Sequence, residues 1–328
     1  MTASLHLAFA LVAALTVTDA ERAVLDRISA HSLEEHLKYI ASDELKGRAT
    51  PSPGLEAAAK YIAAHFQQAG LEPGVNGSYF QQGAARNVVG ILPGSDPELS
   101  RTCVVLSAHY DHLGEQKGKI YHGANDDGSG TVSVMEIASA LAAMNPHPKR
   151  SVVFVTFYGE ETGERGSQFF VRHPVCPQTV ADLNLEQVGR TDSNEGPRMN
   201  SAALTGFDFT DISQVLEAAG RATGISFYND GQYSTSFFAR SDNASFAGMG
   251  IPSTTLAVAF VYPDYHRPSD EWQKIDYENM AAVDRAVALG LIRLANAAEA
   301  PHWNTANPEA RHYADILAKK ARPTIPAK

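Results

Sequence analysis

Cysteine and positive charge are both scarce in this chain of 328 residues. Its two cysteines, Cys103 and Cys176, are too few for a disulfide scaffold, and their separation is unlike the spacing of a zinc–thiolate motif. They either pair or stay free. The chain has 27 Lys and Arg residues against 37 Asp and Glu, a formal net charge of −10, and no basic cluster offsets this excess. That balance argues against nucleic acid and anionic membranes as partners.

The N-terminal apolar segment is too short to span a bilayer. It runs from Leu5 to Val17, and Thr18-Asp19-Ala20 follows as a possible cleavage site ending in a small residue. The segment resembles a secretory signal peptide, although no Lys or Arg precedes it. An uncleaved anchor and a buried N-terminal helix are the alternatives. We predict a signal peptide over residues 1–20 and export to the periplasm or the extracellular space, with no membrane-spanning partner.

No internal repeat and no convincing linker divides the rest of the chain. A hydrophobic content of 44% with 20% charged residues is ordinary for a globular protein. We therefore predict one domain over residues 21–300 and a C-terminal tail, 301–328, with a short helix. An apolar stripe that includes Leu33 and Leu37 predicts a helix from Ser32 to Lys46, with Ser32 as its N-cap.

Two continuous apolar runs predict buried strands. They are Val104–Ala108 and Ser151–Tyr158, and the largely apolar helix predicted over Thr131–Met144 lies between them. This alternation predicts a βαβ unit with parallel strands, and therefore an α/β fold. A third strand is predicted over Ala181–Val188, where Glu186 interrupts a run that otherwise reads as buried.

Polar residues follow these strands where open α/β sheets place their sites. His109 and Asp111 come directly after the first strand, and Glu160-Glu161 comes after the second. Asp126-Asp127 lies in a glycine-rich turn before the helix; alone, this turn is equally consistent with a solvated Asp-Gly turn. His109 and Asp111 alone are equally consistent with a surface pair.

Taken together, these strand ends and a later polar loop offer two imidazoles and four carboxylates, which belong to His109, Asp126, Glu160, Glu161, Glu186 and His266. This set suits a pair of cations, zinc foremost, with manganese or cobalt as possible substitutes. Two such cations lower the pKa of a shared water and polarise a carbonyl, and a free carboxylate beside that water is then a general base. Consecutive side chains at a strand end diverge, so Glu160 and Glu161 suit different tasks.

Five blocks resemble, in order and spacing, the zinc-dependent aminopeptidases of metallopeptidase family M28. The blocks are His109-Tyr110-Asp111, the turn at 123–130 (GANDDGSG), Glu160-Glu161 followed by Arg165-Gly166-Ser167, Asn184-Leu185-Glu186, and residues 265–270 (YHRPSD). The resemblance covers roughly residues 33–297, and the lead-in HLKYIASDELKGR is typical of secreted bacterial members. It implies a three-layer sandwich in which a mixed, mostly parallel central sheet carries helices on both faces, as in the di-zinc aminopeptidase and phosphorylase/hydrolase-like folds.

The resemblance also implies a role for each site residue. Asp126 would bridge two zinc ions, and the Asp126–Asp127 peptide would be cis. One ion would be completed by His109 and Glu186, and the other by Glu161 and His266. Glu160 would be the general base for a water that bridges the metals, passing the proton on to the leaving amine.

Two further residues receive roles at this site. The resemblance implies that Asp111 orients His109. Tyr265, next to a predicted ligand, is a candidate hydrogen-bond donor to the developing oxyanion, although an aromatic in this place is equally consistent with a pocket wall. Four phenylalanines, at positions 237, 238, 246 and 260, are candidates either for an apolar pocket or for the core.

The chain departs from the family pattern at Glu186, where most members have Asp. Too few residues separate Ala69 from Val104 for the inserted protease-associated domain that some relatives carry. The predicted function is hydrolysis of the N-terminal peptide bond of peptides with a free N-terminus. The alternatives are a glutaminyl cyclase, which uses one zinc on the same fold, and a non-catalytic binding ectodomain.

Overall fold

The computed structural model describes residues 16–321. Its helices are α1 Asp19–Leu25, α2 Ala30–Ile40, α3 Pro53–Gln68, α4 Gly130–Ala142, α5 Arg165–Arg172, α6 Ile212–Thr223, α7 Asn243–Ala247, α8 Tyr277–Asn296 and α9 Pro308–Ala321. Its strands are β1 Glu72–Pro73, β2 Phe80–Gln82, β3 Arg86–Leu92, β4 Thr102–His109, β5 Gly114–Gln116, β6 Lys119–Tyr121, β7 Ser151–Phe157, β8 Gln178–Leu185, β9 Asp192–Ser193, β10 Gly196–Pro197, β11 Ser201–Leu204, β12 Ser226–Tyr228 and β13 Ser253–Ala257. Within this range, no helix is both long and apolar enough to cross a membrane.

One mixed sheet forms the centre of the described chain. Its strand order is β1-β3-β7-β4-β8-β13-β11-β12, and β2 also pairs with β3. The four central strands β7, β4, β8 and β13 run parallel to one another, whereas β3 joins β7 and β11 joins β13 in antiparallel pairs. The predicted βαβ unit, β4-α4-β7, thus has the expected parallel strands. The predicted mixed α/β sheet is confirmed.

Strand β4 is buried because both faces of the sheet are covered. Its side chains alternate between the faces. Val104 and Leu106 belong to a core cluster that includes residues of the helices α2, α3, α4, α6 and α8, and Val105 belongs to a second cluster with Phe170 of α5 and Phe246 of α7. Helices therefore lie on both faces, as predicted. A central strand in this position has no polar face, which explains its uninterrupted apolar sequence.

The register of the central strands aligns their carboxyl ends. His109 at the end of β4 pairs with Phe157 at the end of β7. On the other side, Ser107 pairs with Asn184 near the end of β8. The residues that follow these three strands therefore emerge at one edge of the sheet.

The N-cap prediction for α2 is wrong. The helix begins at Ala30 and its cap is Ser29, whose hydroxyl accepts a hydrogen bond from the main-chain N–H of Ser32 at 3.1 Å. The side chain of Ser32 is instead engaged elsewhere, since its hydroxyl donates to the carboxylate of Glu136 at 2.6 Å. Ser29 is therefore the cap, and Ser32 bonds to Glu136, a residue distant in the sequence that the local pattern does not contain.

Cys103 and Cys176 form a disulfide that joins the start of β4 to the segment before β8. Such bonds persist in oxidising compartments.

Residues just outside both predicted domain boundaries take part in ordered structure. Thr18, in the predicted cleavage site, caps α1 through a capping box with Glu21, while most of the predicted signal segment lies outside the described residues. In the predicted tail, the Trp303 indole N–H donates to the carbonyl of Gly250 at 2.8 Å, and its ring is buried beside Phe238. The boundaries at residues 20 and 300 stay predictions.

Candidate metal centre

The turn between β6 and α4 carries the central carboxylate of the site. The peptide bond between Asp126 and Asp127 is cis, as the resemblance implied. All residues of this turn from 123 to 130 are buried. The alternative interpretation as a solvated turn is therefore wrong, and so is the surface interpretation of His109 and Asp111, which are fully buried.

A first group of possible metal-binding side chains joins three elements. Single ligand atoms of His109, Asp126 and Glu186 lie within 4.8 Å of one another. The Nε2 atom of His109 is 3.4 Å from Oδ1 of Asp126. The longer side chain at position 186, the departure from the family pattern, thus still reaches this group.

A second group surrounds the other oxygen of Asp126. Atoms of Asp126, Glu161 and His112 lie within 4.8 Å of one another. The Nε2 atom of His266 is 3.0 Å from Oδ2 of Asp126 and 3.4 Å from Oε2 of Glu161. The structure therefore brings all five predicted ligands together and adds His112, which the sequence interpretation missed. The signal was present in the run His-Tyr-Asp-His, which directly follows the predicted strand Val104–Ala108.

Several buried atoms of these groups have no hydrogen-bond partner within the described residues. They are Nε2 of His109, both ring nitrogens of His112, Oδ2 of Asp126 and Oε1 of Glu161. Buried polar atoms are normally paired, because an unpaired one costs about 1–3 kcal/mol. Nitrogen and carboxylate oxygen atoms that converge without partners are the donor set expected around zinc. The residues present therefore fit a metal site.

The electrostatics of the cluster also favour a cation. Burial raises the pKa of Glu160 well above its ordinary value, the Glu186 carboxylate adds to this shift, and His109 opposes it. Burial likewise raises the pKa of Glu186. For Asp126 burial acts in the same direction, but the imidazoles of His109 and His266 outweigh it and lower the pKa. The imidazoles thus stabilise the negative charge of Asp126 but do not fully compensate that of Glu160 and Glu186. A cation bound between these carboxylates would stabilise their charged forms.

Asp127 faces away from these groups and holds the backbone. One oxygen of its carboxylate accepts hydrogen bonds from the main-chain N–H groups of Gly130 at 3.0 Å and Gln187 at 3.1 Å. The other oxygen accepts a hydrogen bond from the main-chain N–H of His109 at 3.3 Å. The two adjacent carboxylates therefore differ in orientation: Asp126 points into the site, and Asp127 ties three chain segments together.

Asp270 holds the same turn from the other side. Its carboxylate accepts hydrogen bonds from the main-chain N–H groups of Asn125 and Asp126, each at 3.1 Å, and from the Tyr262 hydroxyl at 2.9 Å. The sequence placed Asp270 in a block of the resemblance without a role. Its position in the polar loop gave no indication that it binds the backbone of a distant turn.

Arg48 is a buried cation behind the site. Its guanidinium donates to the carbonyls of Tyr110 at 2.7 Å, His122 at 2.8 Å and Gly123 at 2.9 Å, and also to that of Ile40. Burial lowers its pKa to about 10, which still leaves it charged near neutral pH. Arg48 thereby joins the chain between His109 and Asp111 to the glycine that opens the turn.

A pocket of about 210 Å³ opens beside Asp126, Glu160 and Glu186. Apolar side chains, including Phe237 and Phe260, line one side of it. Phe238 and Phe246, the other two candidates, are instead buried in the core, at 2% and 0% exposure. The pocket alternative is thus correct for Phe237 and Phe260, and the core alternative for Phe238 and Phe246.

Tyr265 lines this pocket next to His266. Their rings are stacked, with centroids 4.0 Å apart. Burial raises the pKa of the Tyr265 phenol, and the neighbouring Asp126 carboxylate adds to the shift. The phenol therefore stays protonated at neutral pH and is a potential hydrogen-bond donor.

The protein-family sequence model described as "Peptidase family M28" matches residues 87–290, which is more than half of the chain. The chain belongs to peptidase family M28. The match spans the strands β3 to β13 and all of the clustered side chains.

Among curated proteins, the chain is 26% identical over 268 residues to leupeptin-inactivating enzyme 1 of Streptomyces exfoliatus, a match covering 80% of this chain and 55% of that protein. It is 38% identical over 112 residues to a vacuolar membrane protease of Candida tropicalis, covering 34% of this chain and 11% of that protein. The chain thus spans about half of the first relative and a small part of the second.

Among solved structures, the LapA aminopeptidase of Legionella pneumophila superposes with a TM-score of 0.70 at 22% identity, covering 87% of this chain and 76% of that one. An aminopeptidase from Aneurinibacillus sp. strain AM-1 superposes with a TM-score of 0.66 at 15% identity, covering 87% and 97%. At these identities the likeness establishes the shared fold.

Proposed function

We propose that the chain is a zinc-dependent aminopeptidase that hydrolyses the N-terminal peptide bond of peptides. The observation that carries this proposal is the convergence of unpartnered, buried imidazole and carboxylate atoms around Asp126, at the edge of the pocket. Family membership and the aminopeptidases among the structural neighbours support it.

Two zinc ions would be held on either side of Asp126. His109 and Glu186 would complete the first site, and Glu161 and His266 the second. When bound, zinc supplies Lewis-acid polarisation of the scissile carbonyl and makes water more acidic.

Glu160 is proposed as the general base. Its carboxylate lies 3.9 Å from Nε2 of His109 and lines the pocket, while the adjacent Glu161 turns to His112 and His266. Glu160 would take a proton from the attacking water and return it to the leaving amine. Tyr265 would donate a hydrogen bond to the oxyanion.

Asp111 is proposed to orient both His109 and Glu160. Nδ1 of His109 hydrogen-bonds to the main-chain carbonyl of Asp111 at 3.2 Å, and the Asp111 carboxylate lies beside it, with Oδ1 at 3.5 Å. The same Oδ1 atom accepts a hydrogen bond from the main-chain N–H of Glu160. A carboxylate behind a metal-binding imidazole sets its tautomer and ring orientation.

The substrate is proposed to be a peptide with a free, protonated N-terminus. The pocket is acidic near Asp126, Glu160 and Glu186, which favours an ammonium group, and its apolar side has room for one side chain. Export to the periplasm or the extracellular space is proposed with it, because the disulfide suits an oxidising compartment.

The test is hydrolysis of leucyl, arginyl and glutaminyl p-nitroanilides, each free and N-acetylated. We expect cleavage of the free substrates only, loss of activity in excess chelator, recovery on adding zinc, and two zinc ions per chain by elemental analysis. Full activity in chelator would refute the metal role, and equal cleavage of acetylated substrates would refute aminopeptidase specificity.

Two further outcomes would point to the alternative functions. Cyclisation of a glutaminyl peptide with one zinc per chain would favour a glutaminyl cyclase. Folded protein that binds no metal would favour a binding ectodomain.

A further inference from the structure

We propose that His112 is a fourth protein ligand of the second zinc site and binds the ion through Nδ1. The inference rests on the proposed function only in assuming that the site binds zinc. With His112, this site would hold its ion with Asp126, Glu161, His266 and His112, whereas the first site would have three protein ligands.

The first observation is a close approach between two unpaired atoms. Nδ1 of His112 lies 2.7 Å from Oε1 of Glu161 and 3.9 Å from Oδ2 of Asp126. No hydrogen bond joins Nδ1 of His112 to any group in the described chain, and the same holds for Oε1 of Glu161. Two atoms that each lie about 2.0–2.1 Å from the same zinc ion are separated by roughly 3.0–3.5 Å. The distance from Nδ1 of His112 to Glu161 is slightly shorter than this range, and its distance to Asp126 is slightly longer.

The second observation is that the His112 ring is fixed at this place. The side chain is fully buried, and its main-chain N–H donates to the carbonyl of Arg48 at 3.3 Å. Gly123 packs against the ring so closely that a Cβ atom there would lie 2.4 Å from Cγ of His112. A histidine with only a packing role normally has its ring N–H paired, but both ring nitrogens of His112 are unpartnered within residues 16–321.

The third observation concerns the other side of the proposed ion. His266 is 38% exposed at the pocket, whereas His112 is buried, and their ring centroids are 5.8 Å apart. The two imidazoles thus approach Asp126 and Glu161 from the pocket and from the protein interior. A buried ligand would retain the ion when substrate competes for the exposed side.

The experiment uses the full chain, labelled with ¹⁵N-histidine and loaded with zinc, and reads the ring nitrogens by two-bond ¹H–¹⁵N correlation. His109 and His266 both face Asp126 through Nε2. We therefore expect two histidines bound through Nε2 and one bound through Nδ1. Two zinc ions with no histidine bound through Nδ1 would overturn the inference and leave the proposed function intact, whereas a chain that binds no zinc would overturn the proposed function itself.

His112→Gln gives an independent measurement, because the glutamine amide reaches the position of Nε2 better than that of Nδ1. We expect the variant to keep one tightly bound zinc, with the dissociation constant of the other raised more than about 100-fold, beyond the 10–100-fold that outer hydrogen-bond partners cost. A smaller increase overturns the inference. The matched control is His65→Gln, in which a partly buried histidine that hydrogen-bonds to Ser139 is replaced, and two tightly bound zinc ions are expected.

Discussion

The carboxylate of Asp111 accepts a hydrogen bond from the main-chain N–H of Glu160 at 3.1 Å. Its other oxygen accepts one from the Thr50 hydroxyl at 2.9 Å. Asp111 follows β4 and Glu160 follows β7, so this buried side chain links the ends of two neighbouring strands. A substitution at Asp111 is therefore expected to alter the positions of both His109 and Glu160, the proposed base.

Asp111→Asn tests this link. The asparagine amide can still form a hydrogen bond with the Thr50 hydroxyl, which can donate or accept. The substitution removes the negative charge behind His109. We expect zinc affinity and kcat/KM to fall about 10–100-fold, as for other partners of metal-binding histidines. Competition with a chromogenic chelator measures the affinity. Asp96→Asn, which alters a carboxylate bound to the N–H groups of Glu98 and Leu99 in a surface turn, should change neither value, and an unaffected Asp111→Asn would contradict the role.

Glu160→Gln and Glu161→Gln make the same substitution at adjacent positions. Removal of a general base lowers turnover about 10²–10⁴-fold, so Glu160→Gln should lose kcat by that factor and keep both zinc ions. Glu161→Gln should instead lose zinc from the second site, because the ligand is weakened. Elemental analysis with steady-state kinetics separates the two effects. A Glu160→Gln variant with near-normal kcat would reject the proposed base.

Arg48→Met removes a buried donor that serves four carbonyls. Each buried carbonyl left unpaired costs about 1–3 kcal/mol, so we expect the free energy of unfolding to fall by at least about 3 kcal/mol. Urea denaturation measures this loss. Arg101→Met, at an exposed arginine in the turn before β4, is the control. A loss at Arg48 no larger than that at Arg101 would contradict the assigned support.

Asp284 provides a test of pH dependence away from the site. Its carboxyl lies in the core and accepts a hydrogen bond from the Ser133 hydroxyl at 2.8 Å, and burial raises its pKa to about 8. Between the ordinary value of 3.8 and this pKa, the folded state keeps a proton that the unfolded state has lost. The contribution of Asp284 to stability is therefore complete below pH 3.8 and declines as the pH rises toward 8.

Asp284→Asn cannot titrate, so the variant should gain stability relative to the wild type as the pH rises from 5 to 8. One group changes the free energy of unfolding by at most about 1.4 kcal/mol per pH unit. Urea denaturation in excess chelator measures the difference without a contribution from bound metal. Asp315→Asn on the exposed face of α9 should show no such trend, and a constant difference at position 284 would contradict the raised pKa.

The placement of the site was predictable from the sequence because it depends on local patterns. Continuous apolar runs predict central parallel strands, and polar residues directly after such strands must emerge at the same edge. His109, Glu160 and Glu186 are placed in this way. The spacing of the five blocks added Asp126 and His266 through resemblance to the family.

Three other features had no local signal. Arg48 serves carbonyls up to 75 residues away in the chain, and Asp270 binds a turn that lies 144 and 145 residues before it. The choice between Ser29 and Ser32 as the cap of α2 depended on Glu136, more than 100 residues away. These are hydrogen bonds between groups that are distant in the sequence, and no spacing rule predicts them.

By itself, the sequence determined the class of fold, the edge of the sheet that carries the site, and the kinds of atom assembled there. Only the tertiary structure decided that His112 belongs to the cluster, that Phe237 and Phe260 line the pocket while Phe238 and Phe246 do not, and that the two cysteines pair. The physical reason is that apolar periodicity records which face of an element is buried. The partner that each buried side chain meets depends on how the completed chain packs.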